Sequence, residues 1–262
     1  MNAIAPALGG ASGRAPRAVL VAIAVAWGVA VGAELTGTAG QLHHDALIEG
    51  GPPLWAALLV FLLAWQAMVA AMMLPSALPL IRLFAAVSGD QERVRRARGA
   101  FLGGYAAVWT GFGALAFLGD ALVHRAVDAL PWLDARPWLI GGSALALAGA
   151  FQFSGLKERC LSKCRHPGPY LLARYRRGAP AAFRLGFGHG VFCLGCCWAL
   201  MLVMFAAGVA VLWWMAALTV VMVYEKTGRH GNALTPVVGV ALLGLAAVAF
   251  AHPPWFPTPF SH

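Results

Sequence analysis

The chain has 262 residues, 60% hydrophobic and 11% charged, with a mean hydropathy of +0.73. A soluble domain carries about 25% charged residues, so this composition excludes an ordinary soluble fold and points to an all-α transmembrane helix bundle. The net charge is +9, from 19 Lys and Arg against 10 Asp and Glu. These basic residues sit in short loops between apolar runs, with no nucleic-acid-binding signature, so lipid rather than nucleic acid is the expected partner.

Residues 1–17 read as a flexible tail, with Arg14 and Arg17 ahead of an apolar run from Val19 to Ala33. That run is longer than a signal-peptide core and no Ala-x-Ala site follows, so a retained first helix is expected, with a signal peptide as the alternative. The loop that follows carries His43, His44, Asp45 and Glu49 and no Lys or Arg. It reads as a solvated outer loop, or as a His-His-Asp group that captures a metal ion from outside.

A second apolar run covers Leu54 to Leu74 and extends toward Phe84. Met68 and Met72 are one turn apart and share a face. Pro75 and Pro79 should kink the helix and free backbone carbonyls. Met72 and Met73 beside this proline pair form either a soft patch or ordinary packing. A basic loop follows (Arg82, Arg93, Arg95, Arg96, Arg98), then a third span from Ala100 to Leu118 that opens with Gly103-Gly104, a pair that permits close helix contact. The loop from Asp120 to Pro137 contains His124, Asp128 and Asp134. Trp132 and Trp138 have the character of interface anchors.

The fourth span runs from Leu139 to Leu156, and a basic segment carrying Cys160 and Cys164 comes after it. If the helix continues that far, the two thiols share a face with Cβ atoms about 6 Å apart, and an i,i+4 pair can chelate one metal. Pro167 and Pro169 end the helix. Tyr170 to Leu185 reads as a broken basic amphipathic segment on the inner membrane surface.

The fifth span, Gly186 to Ala207, contains His189, Cys193, Cys196, Cys197, Met201 and Met204. At about 100° per residue these six fall within an arc of about 140°. One helix face thus carries an imidazole, three thiols and two thioethers, a soft-ligand stripe suited to Cu(I) or to zinc. Cys and Met are also ordinary core residues, but Cys-x-x-Cys-Cys one turn after a histidine is an unusual way to fill a core. The sixth span, Val211 to Tyr224, is short for a crossing; it holds Met215 and Met222 and leads into Glu225-Lys226. Glu225 reads as a solvated helix end, a hard ligand, a proton acceptor or a salt-bridge partner. A last span from Leu234 to Ala251 precedes a tail with His252 and His262. Five cysteines, an odd count without regular spacing, argue against a secreted disulfide framework.

With the N-terminus inside and about seven crossings (six are possible), nearly all Lys and Arg fall on the inner side, and Arg125 and Arg136 fall outside. The expected architecture is a single membrane domain over residues 1–262, N-in and C-out. Residues 157–185 are its cytoplasmic basic loop, and 1–17 and 252–262 are its tails. This topology brings Cys160, Cys164, His189, Cys193, Met72, Met73, Met222 and Glu225 to the same inner level.

The string from Gly188-His189-Gly190 through Cys193-Leu194-Gly195-Cys196-Cys197 to Met201 resembles the predicted metal-binding integral membrane proteins described as copper chaperones for tyrosinase-type oxidases. Met72 to Pro79, Cys160 with Cys164, and Trp214-Met215 through Glu225-Lys226 fit the same resemblance. It implies a multispan protein that handles copper and supplies it to copper enzymes; the expected location is a bacterial-type inner membrane, and the expected recipient a copper-dependent oxidase or another metallochaperone. On that reading the chain is not an enzyme. Cys193, Cys196 and Cys197 are then the primary Cu(I) ligands, and Cys160 with Cys164 an exchange pair. Met72, Met73, Met201 and Met204 are weak relay ligands, and His189 either binds metal or holds a ligand in place. The alternative is a membrane thiol-disulfide oxidoreductase coupled to a quinone, with Cys193 and Cys196 as its first dithiol and Cys160 with Cys164 as its second.

Overall fold

The structure, a computed structural model, describes residues 16–38, 47, 52–88, 92–136, 138–207 and 212–253. The His43-His44-Asp45 group, the tails 1–15 and 254–262, and the turn at Gly208 lie outside the described residues. All regular structure among the described residues is helical: α1 (Arg17–Leu35), α2 (Leu54–Ser88), α3 (Glu92–Ala129), α4 (Pro131–Asp134), α5 (Trp138–Phe151), α6 (Gly155–Arg165), α7 (Pro167–Arg174), α8 (Ala179–Ala207), α9 (Leu212–Thr227) and α10 (Gly231–Ala251).

Five of these helices are long and apolar enough to cross a membrane, and a sixth crossing is counted if α5 and α6 form one broken span. α9 has 16 residues, about 24 Å of helix, somewhat less than a bilayer core requires. The surface fits lipid better than water. Leu63, Leu115 and Trp213 are 75%, 72% and 85% exposed, while Lys157, Glu225 and Lys226 are buried. This inverts the usual soluble distribution of apolar and charged groups.

α8 is the centre of the bundle. It packs against α3, α5, α6 and α9, while α1, α3, α7 and α9 pack on α2, and α10 lies on α5. Small residues let α3 and α8 touch backbone to backbone. A Cβ on Gly186 would overlap the Phe101 carbonyl, and one on Gly104 would overlap the Phe183 carbonyl. Gly104 therefore does what its pairing with Gly103 promised, whereas Gly103 itself faces open space.

α2 is continuous through both prolines. Pro75 lacks the N–H that would bind the carbonyl of Ala71, four residues back. That carbonyl instead accepts from Trp27 Nε1 on α1 at 3.1 Å. Farther up, Trp65 Nε1 donates to the Trp109 carbonyl at 2.9 Å, and Gln66 Nε2 donates to Thr110 Oγ1 at 2.7 Å, tying α2 to α3.

The fourth span differs from the expectation. The helix does not continue from Leu139 past Leu156. It ends at Phe151, and Ser154 caps a new helix by accepting the Lys157 amide at 3.1 Å. The two axes meet at 66°. The cap satisfies a backbone donor that continuous helix would have used, so the break forms at little cost. α6 is thereby turned inward beneath α8. The basic segment also divides differently: Pro167 opens α7 at a position where its missing N–H costs nothing. Gly178, at φ 102°, makes the turn into α8, which takes the remainder.

Candidate metal centre

The soft stripe of α8 faces the protein interior. Cys193, Cys196, Cys197, Met201 and Met204 are at most 1% exposed and His189 is 3% exposed. All five cysteines are free thiols. Cys193 and Cys197 lie one turn apart, and the Cys197 and Cys196 thiols donate to the Cys193 carbonyl at 2.8 and 3.0 Å. The break after α5 brings Cys164 of α6 against Cys196. The thiols of Cys193, Cys197, Cys196 and Cys164 are therefore successive neighbours in one chain crossing from α8 to α6. Cys160 stands beside it, because its sulfur packs where a Cβ on Gly195 would be, 2.6 Å away.

From α2, Met73 Sδ lies 3.9 Å from Cys197 Sγ. Met72, Met201, Met204 and Met222 are fully buried in the same core, and among the described residues no polar contact links them to the thiols. His189 sits between two phenol rings, with its centroid 5.8 Å from that of Tyr105 and 5.9 Å from that of Tyr170. Its Nδ1 is buried without a hydrogen-bond partner. On α7, outside the spans, Tyr170 donates to the Leu185 carbonyl at 3.1 Å, and burial pushes its phenol up to about 12. The Arg174 guanidinium lies 4.9 Å from that ring.

Of the roles open to Glu225, the structure shows the salt bridge. Its Oε2 is 2.8 Å from Lys157 Nζ, with the side chains 2% and 1% exposed, and its backbone carbonyl accepts from Arg165 Nε at 2.7 Å. α9 is thus clamped to α6 by two contacts at a single residue.

Three polar residues absent from the sequence reading of the site touch its sulfurs or their partners. Tyr105 Oη is 3.0 Å from Cys193 Sγ. Lys226 Nζ is 3.1 Å from the same sulfur, 4.0 Å from Cys197 Sγ, and 3.0 Å from Ser76 Oγ. A lysine at the end of an apolar helix reads as a snorkelling membrane anchor. The signal that could have found it is the Glu225-Lys226 dipeptide itself, since adjacent helical residues point in different directions and two buried charges there need two separate partners. Among the described residues no three His, Cys, Asp or Glu side chains form a ready-made metal cage. The arrangement is a line of sulfurs rather than a closed tetrahedron.

Bundle and cluster together define the class: an all-helical protein with membrane-length apolar helices and a buried row of thiols. A family model, PpoB2, described as copper chaperone, matches residues 62–249. The chain belongs to this copper chaperone family, in agreement with the resemblance carried by its cysteine string, and the matched region contains all five cysteines, His189, the candidate methionines and Glu225, but not the His43-His44-Asp45 group. The family name describes a carrier rather than a catalyst. No curated protein and no solved structure matches the chain.

Proposed function

We propose that this protein is an integral membrane copper chaperone that holds Cu(I) on its thiol row and passes it by ligand exchange to a copper-dependent oxidase or another metallochaperone. The observation that carries this reading is the continuous chain Cys193–Cys197–Cys196–Cys164, which crosses from one helix to another. Thiolates are soft donors that favour Cu(I), and Cu(I) is stable with two sulfurs. An ion on Cys193 and Cys197, with the Met73 thioether alongside, can take Cys196 as a new ligand before releasing an old one, and then Cys164. Each handover replaces one S–Cu bond with another, so the free ion is never formed. Cys160 and Cys164 serve as the exchange pair, Met72, Met201, Met204 and Met222 line the apolar wall, and His189, with its Nδ1 buried and unpartnered, is a further nitrogen donor on the same helix face.

The charge distribution supports an N-in, C-out chain of seven crossings in a bacterial-type inner membrane, with α9 as a short crossing. The thiol row then opens to the cytoplasm, where thiols stay reduced.

The test is metal analysis of protein purified without oxygen. Wild type should hold Cu(I), and C193S/C196S/C197S should hold none. C160S/C164S should bind Cu(I) at equilibrium but transfer it more slowly to a chelating acceptor. Equal copper in wild type and the triple variant would refute the proposal. Oxidation of Cys193 and Cys196 by a quinone without any metal would favour the dithiol oxidoreductase instead.

A further inference from the structure

Lys226 has no part in the exchange scheme. Its side chain is buried, 4% exposed, and its ammonium is held by Ser76 Oγ on α2 and by the Cys193 and Cys197 sulfurs on α8. Tyr105 of α3 meets the same Cys193 sulfur, and Cys196 and Cys164 stand next in the row. The adjacent carboxylate, Glu225, is taken by Lys157, and among the described residues no Asp or Glu oxygen lies within ion-pair distance of Lys226 Nζ. An ammonium in such a place is costly unless an anion answers it, and thiolate sulfur is the anion at hand.

The charges then decide which ion fits. Two thiolates with Cu(I) form a unit of charge −1, which the Lys226 ammonium cancels. Two thiolates with zinc form a neutral unit, so Lys226 would leave a buried positive charge. Zinc also wants four donors set tetrahedrally, whereas among the described residues the sulfurs stand in a line and form no ready-made cage. We propose that Lys226 is the specificity-determining residue of this centre, tuning the Cys193–Cys197 pair for monovalent, two-coordinate soft cations, Cu(I) and its redox-inert analogue Ag(I), against divalent zinc. The inference rests on the copper-carrying reading and adds the reason for its selectivity. Loading exchanges the bonds that hold Cu(I) on its donor for two S–Cu bonds: the Cys193 thiolate that answers the ammonium binds directly, the Cys197 thiol gives up its one S–H proton to water, and no electron moves. The ammonium stays hydrogen-bonded to sulfur.

The experiment uses the full chain, reduced and purified without oxygen in detergent, and measures competition with chromogenic chelators for Cu(I), Ag(I) and Zn(II). Four variants are compared with wild type: K226Q, which removes the charge; S76D, which neutralises it from α2; K226R, which keeps it; and K226S/S76K, which moves it across the 3.0 Å contact. The ratio of Cu(I) to Zn(II) affinity should fall about tenfold or more in K226Q and S76D, with Ag(I) following Cu(I). The ratio should be retained in K226R and restored in K226S/S76K. A merely structural lysine would weaken all three metals alike. Ratios within about threefold of wild type in folded K226Q or S76D would overturn the proposal. If neither folds, a wild-type-like ratio in K226S/S76K supports it and a collapsed ratio overturns it. A wild type that binds neither Cu(I) nor Ag(I) fails the copper reading itself, before any variant is compared.

Discussion

Replacing Glu225 by Gln should be among the most destabilising single changes in the bundle. Its partner Lys157 lies 2.8 Å away, and the two side chains are 2% and 1% exposed. Removing one member of a pair this deeply buried strands the other charge, a loss of about 3–5 kcal/mol. Lys157→Met should cost a similar amount by stranding the carboxylate. The double variant K157M/E225M has no charge left to strand, and apolar replacement of a whole buried pair is often close to neutral. Thermal unfolding in detergent, followed by tryptophan fluorescence, reads all three. At about 2–4 °C per kcal/mol for a chain near this size, each single variant should lose about 6–20 °C and the double should recover most of it. If the singles lose less than about 1 kcal/mol, or the double loses as much as both singles together, the pair is not the clamp between α6 and α9 that its geometry describes. The double variant also tests Glu225 as a ligand. Copper retained in K157M/E225M means that the carboxylate positions α9, whereas copper lost from a stable double variant means that it binds the ion.

Further outcomes follow from the packing. Gly186→Ala places a methyl on the Phe101 carbonyl and should cost about 1–3 kcal/mol as α8 is pushed off α3; Gly103→Ala meets open space and should be neutral or stabilising by up to about 1 kcal/mol, both read by the same melt. Trp27→Phe removes the donor to the Ala71 carbonyl and should cost about 1 kcal/mol. In a Pro75→Ala background the restored helix N–H takes over that carbonyl, so the Trp27 effect should shrink; an unchanged effect would mean that packing, not the hydrogen bond, carries it. For Tyr170 the folded-state pKa lies near 12, above the ordinary 10.0. Its contribution is therefore full below pH 10 and is lost as pH rises toward 12. Stability of wild type should fall more steeply than that of Tyr170→Phe across that window, and parallel curves would contradict the burial of the phenol.

Residues three and four apart on α8 share a face in any helix, so the sequence alone determined the soft stripe from His189 to Met204, along with most of the apolar spans and a close helix contact at the Gly103-Gly104 pair, of which the packing chose Gly104. These are local properties, set by a period of 3.6 residues and by hydropathy. Where α5 stops could not be read from hydropathy, because its end depends on one serine capping three residues onward, and that break is what swings Cys164 under Cys196. The sequence left Glu225 with a salt bridge as one role among four and gave Lys157 and Lys226 none in the site, since a charged residue at a helix end is as well suited to snorkelling toward lipid headgroups as to burial. Only the packing of α6 and α9 against α8 decided between these, by removing water from all three side chains and leaving Glu225 to Lys157 and the thiols to Lys226. A line of sulfurs with an ammonium beside it is a property of four helices meeting, because the partners that satisfy each buried charge come from segments as far as 150 residues apart.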